Sequence, residues 1–358
     1  MKRFISMILV LAMCAAVLAG CSGGTTASSA SSASSGGASS SAAPSQAPSQ
    51  AAEPAGKVIE INFAIHTNEG TNEFYSIERF KQTVEEKTGG QIQVHLFPGA
   101  SLGTEMENLE QVKIGEVQMS IFGDNLTSQL APELDPTVVP FIYPSAQEVF
   151  DTWNGPLGEM IRQALEERGN QILVGLQERG ARKLTANVMV QSPTDLKNIK
   201  LRIPEIASWV TVWQGLGAMP TPVAWSETYS ALQTKVVDAQ ENPLENIYVA
   251  KIYEVQEYTI LTDHLYNVFH WTINKDFFNS LSGEYQTIIL EAAEEACRWG
   301  DTQLAAREAE VRAELEAEGH TFVEVDRQLF IDAARPYVEE VAKTWDQAAR
   351  DEIAKFYN

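Results

Sequence analysis

Gly180-Ala-Arg-Lys-Leu-Thr185, Ser192-Pro-Thr-Asp-Leu-Lys197, Lys200-Leu-Arg-Ile-Pro204, Leu216-Gly-Ala-Met-Pro-Thr-Pro222, Trp225-Ser-Glu-Thr-Tyr-Ser-Ala-Leu-Gln-Thr234 and Val237-Asp-Ala-Gln-Glu-Asn-Pro243 follow one another within one short stretch of the chain. Two arginines in this stretch sit in strand-like contexts. Arg182 precedes a β-prone run over 184–190. Arg202 lies between Leu201 and Ile203 and is followed by Pro204, a normal strand terminator. Between them, Ser192-Pro193 reads as a helix N-cap with proline at the first helical position and Asp195 in the first turn. An arginine that alternates with Leu and Ile on a buried strand must meet a carboxylate or face a cleft that an anion enters. Its planar fork suits either task, because it grips a carboxylate through two charge-assisted hydrogen bonds.

The order and spacing of these motifs resemble the substrate-binding subunit of tripartite ATP-independent periplasmic (TRAP) transporters. That pattern runs G-x-R, S/T-P-x-D-L-K-G-x-K-x-R-x-P, L-G-A-x-P-T-P, E-x-Y-x-A-L-Q-x-G and D-G-x-E-N-P, and the resemblance covers about residues 60–341. It departs at three glycines, where this chain has Asn198, Lys235 and Ala239. The resemblance implies an α/β fold of two domains, like the class II periplasmic binding proteins, with ligand in the cleft between them and long helices at the C-terminus. On that pattern domain I covers 57–179 plus 268–307, and domain II covers 180–267 plus 308–358.

The coarse pattern of the residues agrees with an α/β chain. Strands are expected over 58–65, 91–97 and 118–122, and helices over 74–87 and 105–114. Alternation of this kind continues to about residue 274 and marks open sheets flanked by helices. From Glu284 to Glu318-Gly319 the chain is rich in Ala and Glu. That stretch reads as one helix of roughly 50 Å. Some 300 residues in this region exceed what a single core usually supports.

The N-terminal end sets the compartment. Lys2-Arg3, an apolar run over 4–18 and Leu18-Ala-Gly-Cys21 form a secretory signal over 1–20, too short to span a membrane. The Leu-Ala-Gly-Cys sequence resembles a bacterial lipobox, which makes Cys21 the expected lipidation site; the alternative is an ordinary signal with an incidental cysteine. Residues 21–56 are almost entirely Ser, Ala, Gly, Pro and Gln. They are expected to form a disordered tether spanning roughly 30–35 Å, by about 5–6 Å times the square root of length. The expected location is extracytoplasmic, anchored by lipid to the outer face of the cytoplasmic membrane.

Of the three cysteines, Cys14 leaves with the signal and Cys21 carries lipid, so Cys297 has no disulfide partner and is expected in the core. Net charge is −22, and loss of the positive charges on Lys2 and Arg3 takes it to −24. Such a balance argues against nucleic acid and against electrostatic adhesion to anionic membranes. It also requires local arginines to reverse the potential wherever an anion binds.

Site residues follow from the resemblance. It implies that Arg202 clamps a ligand carboxylate, with Arg182 as a second arginine and Asn242 hydrogen-bonding the same group. Trp225 matches an aromatic wall. Glu205 follows Pro204, where the family chain passes the pocket. His66 and Glu105 match positions at the far end of the ligand, and imidazole with carboxylate suits hydroxyl groups. Trp209 and Trp213 are expected near the same wall. From the residues alone, each also has an ordinary structural explanation: an ion pair for the arginines, a turn for Asn242, a core position for Trp225 and His66, and a solvated helix start for Glu205.

Catalysis finds little support. The five histidines show no metal-binding spacing, and P-loop, G-x-S-x-G and G-x-G-x-x-G motifs are missing. No metal or cofactor is expected. The expected function is that of an extracytoplasmic receptor for a small organic acid, best a sugar acid such as a uronate. It would deliver this ligand to the small and large membrane subunits of an ion-gradient-driven TRAP transporter. A C4-dicarboxylate fits less well because no third Arg or Lys is evident for a second carboxylate. The alternatives are a receptor for an ABC importer and, in a different class, an extracellular carbohydrate-active enzyme using Glu105 and Glu205.

Overall fold

The computed structural model describes residues 57–356. The signal, Cys21 and the polar segment before residue 57 lie outside the described residues. In chain order the strands are β1 (Ile59–Ala64), β2 (Ile92–Phe97), β3 (Met119–Phe122), β4 (Gln171–Ala186), β5 (Lys200–Ile203), β6 (Met219–Pro222), β7 (Ala239–Pro243), β8 (Tyr258–Asn274) and β9 (Thr321–Glu324). The helices are α1 (Asn72–Lys87), α2 (Glu105–Ile114), α3 (Asn125–Leu130), α4 (Ala146–Asn154), α5 (Pro156–Gly169), α6 (Ala207–Gly215), α7 (Thr228–Gln233), α8 (Leu244–Val249), α9 (Lys275–Ser280), α10 (Gly283–Ala317), α11 (Arg327–Ala342) and α12 (Gln347–Ile353). The expected early strands and helices fall within a residue or two of β1, α1, β2, α2 and β3.

Local chemistry explains several boundaries. Thr104 and Glu107 form a capping box at the start of α2, and Gly115 ends that helix in the left-handed conformation. Ser192 and Asp195 make the same reciprocal bonds around Pro193, but the helix they open is a single 3-10 turn, Pro193–Leu196. The strand expected over 184–190 is displaced. Pairing stops at Ala186, and Val188 and Met189 are exposed beyond it. The β-propensity of those residues counts for little without a neighbouring strand.

One sheet of nine strands runs β2-β1-β3-β8-β4-β7-β5-β6, with β9 beside β8. β4 and β8 have 16 and 17 residues, roughly 55 Å at about 3.3 Å per residue, and they pair antiparallel along most of their length. The short strands dock at opposite ends of this ribbon. β3 pairs with β8 at one end, its last residue Phe122 opposite His270. β7 pairs with β4 at the other, its last residue Pro243 opposite Arg182. β1 and β2 run parallel to β3, and β5 and β6 run parallel to β7. Both groups of parallel strands therefore point their carboxyl ends at the middle of the ribbon, residues 177–182 of β4. Carboxyl ends of parallel strands are where α/β sheets bind ligands.

That middle segment is irregular. The β4–β8 register shifts between Glu178 and Ala181, and Gly180 takes φ +81°, where a Cβ would lie 2.5 Å from Oε1 of Glu308. Helix α10, 35 residues long, packs along α1 and β4. One apolar core lies under β1, β3 and α1, with the buried thiol of Cys297 inside it. A larger core collects α5, α6, α11 and α12. Among the described residues no helix is long and apolar enough to cross a membrane.

Candidate functional site

The convergent strand ends border a cavity with about 350 Å³ of empty space, part of it open to solvent. His66 and Thr67 reach it just beyond β1, Gly123, Asp124 and Asn125 just beyond β3, and Arg202 and Pro204 from the end of β5. Trp225 follows β6, Asn242 ends β7, and Arg179 and Arg182 come from the irregular middle of β4. Glu105, the first residue of α2, completes the wall.

The three arginines are in three different situations. Arg182 is 2% exposed and committed to Glu241: its Nη2 donates to Oε1 at 2.9 Å and to the backbone oxygen at 2.9 Å, and its Nε donates to Oε2. Glu241 also accepts from Nε2 of His264 at 3.0 Å, and Nδ1 of His264 meets the hydroxyl of Thr262 at 2.8 Å. Burial lowers the His264 pKa, so the ring is neutral, with Nε2 donating and Nδ1 accepting. Burial works against the charges of Arg182 and Glu241, but each more than offsets it for the other. Arg182 thus has the ion pair that the bland reading of a buried arginine requires, and it reaches the cavity as part of a fixed polar wall backed by Trp209.

Arg202 is 3% exposed. Its Nε donates to the backbone oxygen of Val223 at 2.9 Å, and its guanidinium carbon lies 5.7 Å from the centre of the Trp225 ring. No carboxylate among the described residues lies within ion-pair distance of it. Burial without a partner lowers its pKa to about 10. Arg179 resembles Arg202. It stacks on Phe269 with 4.0 Å between guanidinium carbon and ring centre, its buried Nε has no hydrogen-bond partner, and burial lowers its pKa to about 10. An uncompensated buried guanidinium costs several kcal/mol, roughly, unless an acceptor arrives.

The opposite wall is rich in acceptors. Glu105 accepts from the amide of Gly123 and from Nδ2 of Asn125, both at 2.6 Å, and its Oε2 lies 4.0 Å from Nε2 of His66. Burial opposes its ionisation, but His66 and these donors hold its pKa below the usual carboxylate value. His66 is buried, which lowers its pKa, and Nδ1 meets the carbonyl of Ile121 at 3.2 Å. Thr67 Oγ1 and Asn125 Oδ1 are buried without hydrogen-bond partners among the described residues. Arg202, Arg182, Asn242, Trp225, His66 and Glu105 therefore share one cavity. Glu205 does not line it: its side chain is exposed and borders an adjoining recess beside Arg202 and Trp225.

Residues 63–344 match the model of bacterial extracellular solute-binding protein family 7, also called DctP. The chain belongs to this family of TRAP solute-binding proteins. A solute-binding protein of Roseobacter denitrificans is 36% identical over 260 residues, spanning 73% of this chain and 80% of its own. A TRAP periplasmic solute-binding protein structure from the same species, with bound L-galactonate, superposes with TM-score 0.79 at 32% identity, covering 84% of this chain and 99% of the other. Another, from Sulfitobacter sp. NAS-14.1 with bound β-D-galacturonate, has TM-score 0.78 at 26% identity and covers 83% and 99%. A DctP-family protein is an extracytoplasmic solute receptor, and the α/β fold with carboxyl strand ends meeting over a cleft is the one expected.

For a DctP protein the three missing glycines have a structural explanation. Asn198 and Lys235 take φ of 65° and 60°, the left-handed region in which glycine is normally used. Ala239 is fully buried on β7. One expectation is corrected. A third arginine, Arg179, stands in the cavity although only two were evident from the motifs. Residues 179 and 182 of a regular strand face opposite sides, and only the register shift turns both inward; Gly180 between them was the available signal. Trp209 lies behind the wall as expected, 5.1 Å from the guanidinium carbon of Arg182, and both it and Trp213 are fully buried. Asp124, Asn125 and Thr67, beyond the ends of β3 and β1, carried no motif at all.

Proposed function

We propose that this chain is a receptor for sugar acids that hands its ligand to the small and large membrane subunits of a TRAP transporter. The observation that carries the reading is Arg202: a buried guanidinium, open to the cavity, with no carboxylate partner among the described residues. A ligand carboxylate supplies the missing charge. Arg182, held rigid by Glu241, and Asn242, whose Nδ2 donates to Gln240 at 3.0 Å, flank it, and Trp225 covers it. Hydroxyl groups at the far end meet Glu105, Asn125, Thr67 and His66, and Glu205 borders the entrance. The L-galactonate and β-D-galacturonate of the two structural relatives support a hydroxylated monoacid.

We assign residues 57–179 plus 268–307 to one lobe and 180–267 plus 308–358 to the other. The register shift at Glu178–Ala181 and the opposed parallel strands favour a crossing at that point. The receptor carries lipid on Cys21 after removal of residues 1–20 and works without catalysis or cofactor. A catalytic pair of Glu105 and Glu205 is disfavoured by the two short hydrogen bonds that hold Glu105 ionised and by the exposure of Glu205. A thermal-shift panel of aldonates, uronates and C4-dicarboxylates tests the reading. Ligand at 100 times its Kd adds about 2.7 kcal/mol. Stabilisation by sugar acids is expected; stabilisation by C4-dicarboxylates alone would reject the assignment.

A further inference from the structure

Asp124 lies two residues beyond the end of β3 and lines the cavity at 5% exposure. Its Oδ2 accepts from Nδ2 of Asn267 on β8 at 2.7 Å. The charged groups that bear on it are Arg182 and Arg179 from β4 and Glu105 from α2; the titratable His66 beyond β1 lines the same cavity, and Nδ1 of His270 on β8 meets the carbonyl of neighbouring Gly123 at 3.2 Å. Both histidines are held neutral by burial, His270 down to about 4. Neither arginine comes within ion-pair distance of Asp124 among the described residues.

Arg179, Arg182 and Arg202 face Glu105, Asp124 and, behind Arg182, Glu241, and buried Glu73 acts on Arg179 from α1. Carboxylates thus already match or outnumber the guanidiniums. A sugar acid adds a further carboxylate, which favours protonation of one acid. Glu241 is not that acid, because Arg182 and His264 both donate to it. Glu105 is held by the Gly123 amide and Asn125. Asp124 has a single neutral donor, and a proton on its other oxygen would convert an acceptor into a donor toward the ligand. We propose that binding of the sugar acid is coupled to protonation of Asp124, so that the receptor takes up carboxylate and proton together. The proton comes from solvent and returns to it on release. This rests on the carboxylate reading of the site. It is consistent with burial, which raises the Asp124 pKa to about 6 before any ligand arrives.

The sign follows from linkage. A ligand that raises the pKa further binds best below about pH 6 and loses affinity above it, by up to about tenfold per pH unit until the pKa of the complex is passed. The test is calorimetric titration with D-galacturonate and L-galactonate between pH 6 and pH 8, in buffers of different ionisation enthalpy. Wild type is expected to take up a fraction of one proton per ligand. Asp124→Asn is expected to bind with no uptake, no pH slope and higher affinity than wild type at pH 8. An infrared difference spectrum should show a new protonated carboxyl band in the wild-type complex, a readout that does not depend on the variant folding. Heats independent of buffer with a flat affinity overturn the proposal. So does uptake that persists in Asp124→Asn, which would move the proton to another acid such as Glu245, raised to about 7 by burial. If neither acid binds wild type at any pH, the sugar-acid reading itself fails, and the proposal falls with it.

Discussion

Two buried arginines twenty residues apart in the sequence line the same cavity in different states. Arg182 is neutralised in place by Glu241, whereas Arg202 has no carboxylate partner among the described residues. Arg182→Leu strands Glu241 in the core and should cost about 3–5 kcal/mol of stability, the usual penalty for breaking a buried pair. Arg202→Leu removes a desolvated charge that has no partner and should leave unfolding free energy within about 0.5 kcal/mol of wild type or raise it, while binding is lost. Urea denaturation of the two variants checks this; equal destabilisation would mean that Arg202 is a structural residue. The motifs pointed to both arginines, because strand alternation and Pro204 are local signals. They could not distinguish the two roles, since the partner of Arg182 comes from Glu241 on another strand.

At the scale of elements, the turning point is the shift in β4 around Gly180. The early strands and α2 were legible because their periodicity and caps lie within a few residues of one another. The length of β4 was not: its pairing with β8 is interrupted at Leu173–Gly175, Glu178–Ala181 and Arg182–Leu184, which destroys the period of two that reveals a strand. Arg179 was hidden for the same reason. Gly180→Val places a β-branched side chain at φ +81° and against Glu308. It should destabilise the fold by about 2 kcal/mol or more and weaken ligand binding by turning Arg179 and Arg182 away from the cavity. Thermal melts and calorimetry measure the two effects. A stability loss with unchanged affinity would show that the irregularity does not aim the arginines.

For the whole molecule, the proposed two lobes meet where the carboxyl ends of their strands converge. Ligand can shift an open and a closed form only if the closed one binds it better, and contacts between arginine and carboxylate strengthen when water leaves. Trp225, half-buried over Arg202, should report closure by a saturable fluorescence change. Trp209 and Trp213 are fully buried and should be silent, so Trp225→Phe should erase the signal. A signal that survives this change would place the moving indole elsewhere, and unchanged radius of gyration on binding would argue for a rigid cleft. The tether and anchor belong to the same scale. Cys21→Ser should release the receptor into the medium or leave it unprocessed, and full membrane retention at the mature size would contradict lipidation at that residue.

Arg202 is proposed to be the fork that receives a sugar-acid carboxylate. Arg202→Lys keeps the charge but replaces a planar pair of donors with a point charge. Calorimetric titration of wild type and Arg202→Lys with D-galacturonate and L-galactonate is the most direct measurement. Wild type is expected to bind, with a loss of about 2–5 kcal/mol in the variant, roughly 30-fold to several thousandfold in affinity. A loss of less than about threefold, below roughly 0.7 kcal/mol, would remove Arg202 from the site and end the carboxylate reading.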